Sequence, residues 1–166
     1  MRIKHKVITL DEFFQYIKED YDELMSIEQT ELAHLRFQVY TFLARLYEVY
    51  YRRYYDLKSD SEVKMRVRYQ GGDIEIYDPA LGKHEKGVNF SFTWNGNYTQ
   101  TLYINAPRDA AADILLNTDV WQLLLDIDPP LTLSSMTSWR PVPDEVVAFV
   151  KERGHFRRQD HNIVMS

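Results

Sequence analysis

The sequence predicts an α+β fold: a helical hairpin over residues 1–60, packed on a four-stranded antiparallel β-meander over 61–105, with short C-terminal helices and a tail over 106–166. Three observations predict it. Between Glu62 and Asn105 apolar and polar residues alternate around two turn signals, Gly71-Gly72 and Asn95-Gly96, the period of half-buried strands joined by tight loops. Before Gly71 there is neither glycine nor proline, and apolar residues recur at helical spacing. Beyond Asn105, prolines and capping residues cut the chain into short helical pieces. A chain of 166 residues suits one domain, which at this size buries roughly 70 % of its unfolded surface without covalent staples.

Taken in order, Ile3 to Thr9 reads as a short strand with Ile3 and Val7 on one side, or as an ordered arm. Thr9 with Glu12 has the spacing of a capping box, and Leu10, Phe13, Phe14, Ile17, Tyr21 and Leu24 form a helical stripe. One unbroken helix reaching the meander would be far longer than such a domain accommodates. A break is therefore expected near Met25 to Ile27, where Ser26 and Gln29 repeat the capping-box spacing, followed by a second helix to about Leu57. That helix carries two stripes. Leu32, Leu35, Val39, Phe42, Leu46 and Val49 make the first, and Tyr40, Leu43, Tyr47, Tyr50, Tyr54 and Leu57 make the second, rotated from it by about 100°. The combined face is too wide for one neighbour. Either one stripe packs on the first helix and the other on the sheet, or the tyrosine stripe faces a partner.

In the meander, a Gly71-Gly72 loop sets Gln70 opposite Asp73, Tyr69 opposite Ile74, Arg68 opposite Glu75 and Val67 opposite Ile76, which keeps the apolar face continuous. For the second hairpin two registers compete. A two-residue Asn95-Gly96 loop sets Phe90 and Phe92 opposite Thr101 and Thr99. A three-residue loop of Trp94, Asn95 and Gly96 sets Phe92 opposite Tyr98, Phe90 opposite Gln100 and Val88 opposite Leu102, and this is the preferred register. Asp78 to Gly87 is a polar connection. Pro107 opens a short helix through Leu116, Thr118 caps a further turn from Val120 to Asp126, and Leu131 to Pro141 reads as irregular, with Trp139 as an anchor. Pro143 to Arg153 has proline in its first turn, acids at its start, cations at its end and Gly154 beyond, so a last helix is expected there. Ile163 to Met165 could add an edge strand to an otherwise polar tail.

Composition bounds the chemistry. There is no cysteine, so disulfides and thiolate metal sites are out, and the expected compartment is cytoplasmic. No apolar run has the length of a secretory leader or of a membrane span. A net charge of −5 argues against a generally basic nucleic-acid binder. No phosphate loop or zinc-protease motif occurs. His155, Asp160 and His161 are a minor metal candidate in the tail. The acid pairs Asp109/Asp113 and Asp126/Asp128, and Ser134 and Ser135, lack the surroundings that would activate them. No catalytic residue and no cofactor is assigned, and a small hydrolase ranks third among the functional readings.

The leading expectation is a non-catalytic protein that docks on another protein as an adaptor or inhibitor. Its candidate interface is the tyrosine stripe, Tyr40, Tyr47, Tyr50 and Tyr54, which would be self-complementary in a homodimer, since tyrosine tolerates partial wetting. The acidic run Glu19, Asp20, Asp22, Glu23, Glu28 and Glu31 offers a docking face for a basic protein, such as a nucleic-acid-handling enzyme. The alternative is direct nucleic-acid binding by a cationic and aromatic patch: Arg52, Arg53, Lys64, Arg66 and Arg68, with Arg45, Tyr51 and Tyr55 beside it and Arg157 and Arg158 later in the chain.

Overall fold

The computed structural model describes residues 6–70, 73–80, 89–95, 99–105, 118–120, 122–123, 126, 133–137, 156–159 and 162–165. Two helices and an antiparallel sheet, an α+β arrangement, form its centre. The order is β1 (Lys6–Thr9), α1 (Leu10–Ser26), α2 (Thr30–Tyr54), β2 (Lys64–Gln70), β3 (Asp73–Tyr77), β4 (Asn89–Asn95), β5 (Thr99–Asn105), β6 (Leu133–Thr137), β7 (Phe156–Gln159) and β8 (Asn162–Met165).

Thr9 ends β1 and caps α1. Its side chain accepts the Glu12 N–H at 3.2 Å while the Glu12 carboxylate accepts the Thr9 N–H at 3.2 Å, a closed capping box. The next amide, Leu10 N–H, donates to the Val63 carbonyl at 2.9 Å. Helix α1 ends where expected, but Ser26 does not cap the start of the second helix: its hydroxyl donates back to the Glu23 carbonyl at 2.6 Å, and α2 begins at Thr30 behind Gln29 with no side-chain cap. The stop is a Schellman motif. Glu28 takes a positive φ of 62°, its N–H reaches the Met25 carbonyl at 3.1 Å, and Gln29 N–H reaches Leu24 at 2.9 Å. Helix α2 ends identically. Asp56 has φ 52°, with Asp56 N–H on Arg53 and Leu57 N–H on Arg52 at 2.8 Å. Two acidic residues thus occupy backbone positions where glycine is the common choice.

The helices pack antiparallel on one face of the sheet. Val63, Met65 and Val67 of the β2 segment and Ile74 and Ile76 of β3 are buried, together with Phe13, Tyr16 and Ile17 of α1 and Val39, Phe42, Leu43 and Leu46 of α2. Tyr69, on the same face, meets the Tyr16 ring edge-on at 5.5 Å between centroids. In β1 it is Ile8 that is buried, while Val7 is 48 % exposed. Val7 therefore faces away from the core, and Ile3 lies outside the described residues.

The first hairpin has the expected register, with Gln70 opposite Asp73, Tyr69 opposite Ile74 and Val67 opposite Ile76. In the second, neither register weighed from the sequence is observed. Phe92 stands opposite Leu102, Phe90 opposite Ile104 and Asn95 opposite Thr99. The reason is row matching: Ile74, Phe92 and Leu102 share one row across three strands, and Ile76, Phe90 and Ile104 share another. That continuity outweighs the local turn preference of Asn95-Gly96.

Among the described residues the strands form one sheet in the order β1-β2-β3-β4-β5-β6-β8-β7. Leu133–Thr137, expected to be irregular, is a strand parallel to β5, and Asn162–Met165 pairs with both β6 and β7. Thr118 accepts the Val120 N–H at 3.3 Å, in keeping with its expected capping role. The helices expected over Pro107–Leu116 and Pro143–Arg153, and the anchor Trp139, lie outside the described residues.

Because Glu28 and Asp56 sit in left-handed backbone, Glu28→Gly and Asp56→Gly should each stabilise the fold by about 0.5–1 kcal/mol in urea denaturation. Leu46→Ala, which opens a cavity in the core, should cost about 2–5 kcal/mol by the same assay.

Candidate docking surface

The tyrosine stripe runs along the sheet side of α2. Tyr40, Tyr47 and Tyr50 are each 0 % exposed, so the stripe expected to face a second chain is interior, and only Tyr54 remains half-buried. Two of these three buried hydroxyls have acceptors, and that of Tyr40 has none. Tyr47 donates to the Lys64 carbonyl at 2.6 Å, and Tyr50 donates to the Asp78 carboxylate at 2.9 Å. Asp78 is itself fully buried. It also accepts the Tyr55 hydroxyl, and its second oxygen accepts the Ala80 N–H at 2.9 Å. Ring contacts join the group: Tyr47 to Tyr50 at 5.9 Å, Tyr50 to Tyr54 at 5.4 Å and Tyr51 to Tyr55 at 4.9 Å between centroids. Burial first, and the Asp78 charge second, push the Tyr47 and Tyr50 hydroxyls well above the usual tyrosine range. For Tyr55 burial is again first, followed by its hydrogen bond to Asp78.

Arg36 makes a second polar contact between helices and sheet. Its guanidinium donates to Asp20 at 2.9 Å and to the Tyr69 hydroxyl, and it lies 5.5 Å from the centroids of the Tyr40 and Tyr69 rings. Burial raises the Asp20 carboxyl even though Arg36 pulls it down. This pairing was not singled out from the sequence, because its members lie on three elements and share no spacing motif.

The basic patch is divided. Arg52 is engaged locally: it donates to Glu48 at 3.1 Å and to the Lys58 and Ser61 carbonyls at 3.0 and 2.6 Å, so it holds the α2–β2 connection. Arg53 is on α2, at the helical layer. Lys64, Arg66 and Arg68 alternate with buried Met65 and Val67, which places them on the opposite face of the sheet. Lys64 and Arg68 are exposed and Arg66 is half-buried. Arg157 and Arg158 fall in β7. Among the described residues no group of three or more His, Asp or Glu is arranged to hold a metal ion, and His155, Asp160 and His161 lie outside them.

The outer side of the helical hairpin has a different character. Met25, Ile27 and Phe37 are 37, 60 and 42 % exposed. Tyr21 meets Phe37 at 5.5 Å and His34 at 5.4 Å, both edge-on, so the apolar residues of the two helices meet across the seam. Asp22, Glu23, Glu28 and Glu31 are all exposed around this end of the hairpin. From Leu10 to Leu35 the chain carries eight carboxylates, at Asp11, Glu12, Glu19, Asp20, Asp22, Glu23, Glu28 and Glu31, against one lysine, Lys18. The acidic run was legible from sequence. Its apolar centre was not, since Met25 and Phe37 belong to different helices.

No helix among the described residues is long and apolar enough to cross a membrane. Compared with known proteins, the chain matches no family model, no curated protein and no solved structure.

Asp78→Ala should cost about 1.5–3 kcal/mol, because it leaves the buried Tyr50 hydroxyl without its charged acceptor. The raised tyrosines also set an alkaline limit. The fold favours their neutral form, so their contribution to stability is complete below the unfolded value of about 10 and is lost as pH rises above it. In an absorbance titration, Tyr47 and Tyr50 should ionise only together with loss of far-ultraviolet circular dichroism.

Proposed function

We propose that the protein is a non-catalytic binding protein, a small adaptor or inhibitor, which docks on a basic partner protein through the outer end of its helical hairpin. The observation that carries this reading is that Met25, Ile27 and Phe37 are exposed on a helical hairpin whose turn end also exposes Asp22, Glu23, Glu28 and Glu31. Apolar centres with charged rims are the usual anatomy of a protein interface: the centre supplies affinity by leaving water, and the rim selects partner and steers encounter. Like charge opposes self-association through this end, so a homodimer built on it is disfavoured. A basic groove of the kind that nucleic-acid-handling enzymes present would complement it, in a cytoplasmic setting.

A second reading, nucleic-acid binding, is favoured by exposed Lys64 and Arg68 on one strand face with Arg66 between them. Its expectation is distinct. Gel shifts at low salt should retard single-stranded oligonucleotides, and Arg68→Ala should lower the salt slope.

For the leading reading, the tagged chain should retain a basic partner from its host at low salt and release it as ionic strength rises and the Debye length contracts from about 10 Å at 0.1 M to about 3 Å at 1 M. The variant Glu23→Lys/Glu31→Lys, whose changes are both at exposed positions, should stay folded by circular dichroism and retain none. Retention of the same protein by the folded variant would overturn the reading.

A further inference from the structure

We propose that the tyrosines around Asp78 form a reversible one-electron sink: when Tyr50 or Tyr55 is oxidised, its phenolic proton passes to the Asp78 carboxylate, and it returns when a one-electron donor restores the electron. This concerns the sheet side of α2 and its C-terminal end, and it is independent of the docking reading.

Loss of an electron turns a phenol into a strong acid, so a buried tyrosine is readily oxidised only where a base already holds its hydroxyl within hydrogen-bond reach. Tyr50 donates to Asp78 Oδ2 at 2.9 Å, Tyr55 donates to the same oxygen, and the Ala80 N–H occupies Oδ1 at 2.9 Å. All three partners are donors, and Asp78 is fully buried. The step balances within the pair. The phenolic O–H bond breaks, an O–H bond forms on Asp78 Oδ2, and the electron leaves to a one-electron oxidant in solution, such as an oxidised metal complex or a peroxyl radical. The buried pair thereby goes from one negative charge to none, a change that a low-dielectric site favours.

The rings give the electron a way out. Tyr47 meets Tyr50 at 5.9 Å, Tyr50 meets Tyr54 at 5.4 Å, Tyr54 meets Tyr55 at 5.1 Å, Tyr55 meets Tyr51 at 4.9 Å and Tyr51 meets Tyr47 at 5.7 Å between centroids, so the contacts close on themselves. Tyr51, Tyr54 and Tyr55 are half-buried, which brings this circuit to the surface. The tyrosines near Arg36 are placed differently. Tyr69 accepts from the Arg36 guanidinium, which cannot take a proton, and the Tyr40 hydroxyl has no acceptor. The Arg36 charge also opposes the positive charge left by electron loss. Oxidation is therefore directed to the rings beside Asp78 and away from those beside Arg36.

The test uses this 166-residue chain with tris(bipyridine)ruthenium(III), generated by a light flash, as the oxidant. Electron paramagnetic resonance after rapid freezing should show a tyrosyl radical that forms more slowly in heavy water, because the proton moves with the electron. Spin-trap adducts located by peptide mass spectrometry should fall on the tyrosines between Tyr47 and Tyr55. Asp78→Asn keeps the shape and removes the base, whereas Tyr50→Phe/Tyr55→Phe keeps the rings and removes the phenols. Each variant, once shown to be folded by circular dichroism, should shorten the radical lifetime at least about tenfold. Tyr40→Phe, which removes a hydroxyl that has no acceptor, should leave it unchanged. Should Asp78→Asn not fold, the double phenylalanine variant and the heavy-water comparison decide the matter. An unchanged lifetime in either folded variant, equal rates of formation in light and heavy water, or adducts on Tyr16, Tyr40 or Tyr69 would each overturn the proposal.

Discussion

Burying a tyrosine against a sheet is costly unless its hydroxyl finds an acceptor, and the two α2 hydroxyls that find one on the sheet side, those of Tyr47 and Tyr50, fix how the helix sits on this protein's core, while Tyr40 is buried with no acceptor for its hydroxyl. Leucines in the same positions would tolerate a slide or rotation of the helix by a fraction of a turn. Tyr47 and Tyr50 do not, because one hydroxyl is tied to the backbone carbonyl at the start of β2 and the other to the carboxylate just past β3. Two hydrogen bonds, to two strands, define a position along the helix and an angle about it. Arg36 adds a third constraint further up the helix, since it reaches Asp20 of α1 and Tyr69 of β2 together. The hairpin is thus aligned to the sheet by polar contacts within an apolar layer.

How far this could be read from the residues differs from element to element. The β2–β3 register was legible because a two-residue glycine loop and the apolar alternation demand the same pairing. The β4–β5 register was not, because there the turn signal and the alternation disagree, and the choice depends on where the neighbouring strand already places Ile74 and Ile76. The start of α1 was legible from Thr9 and Glu12. Its stop was located but misattributed, since Glu28 and Asp56 carry no sequence signature of the left-handed conformation they adopt. Strand β6 was hidden by its parallel pairing, which depends on a distant strand and not on a local turn.

The candidate site shows the same division between local and distant causes. The acidity of the hairpin is a property of consecutive residues and was plain. Whether a tyrosine is core or surface is not a consecutive property: Tyr50 is interior because Asp78 is opposite it, 28 residues later. Asp78 in turn reads, from its neighbours Pro79 and Ala80, as the first residue of a polar connection. The apolar docking candidates have the converse history, because the side chains left exposed on α1 and α2 are those that neither stripe of α2 requires.

Thr9 is both the last residue of β1 and the cap of α1, and Leu10 is bonded to Val63 immediately before β2. The sheet edge and the helical hairpin are therefore joined with no intervening loop. In kinetic terms, β1 reaches β2 only after the chain has travelled out along α1 and back along α2, a closure whose entropic cost falls steeply once the two helices have already paired. The topology accordingly favours early formation of the helical hairpin and the β2–β3 hairpin, each local in sequence, over the pairing of β1 with β2.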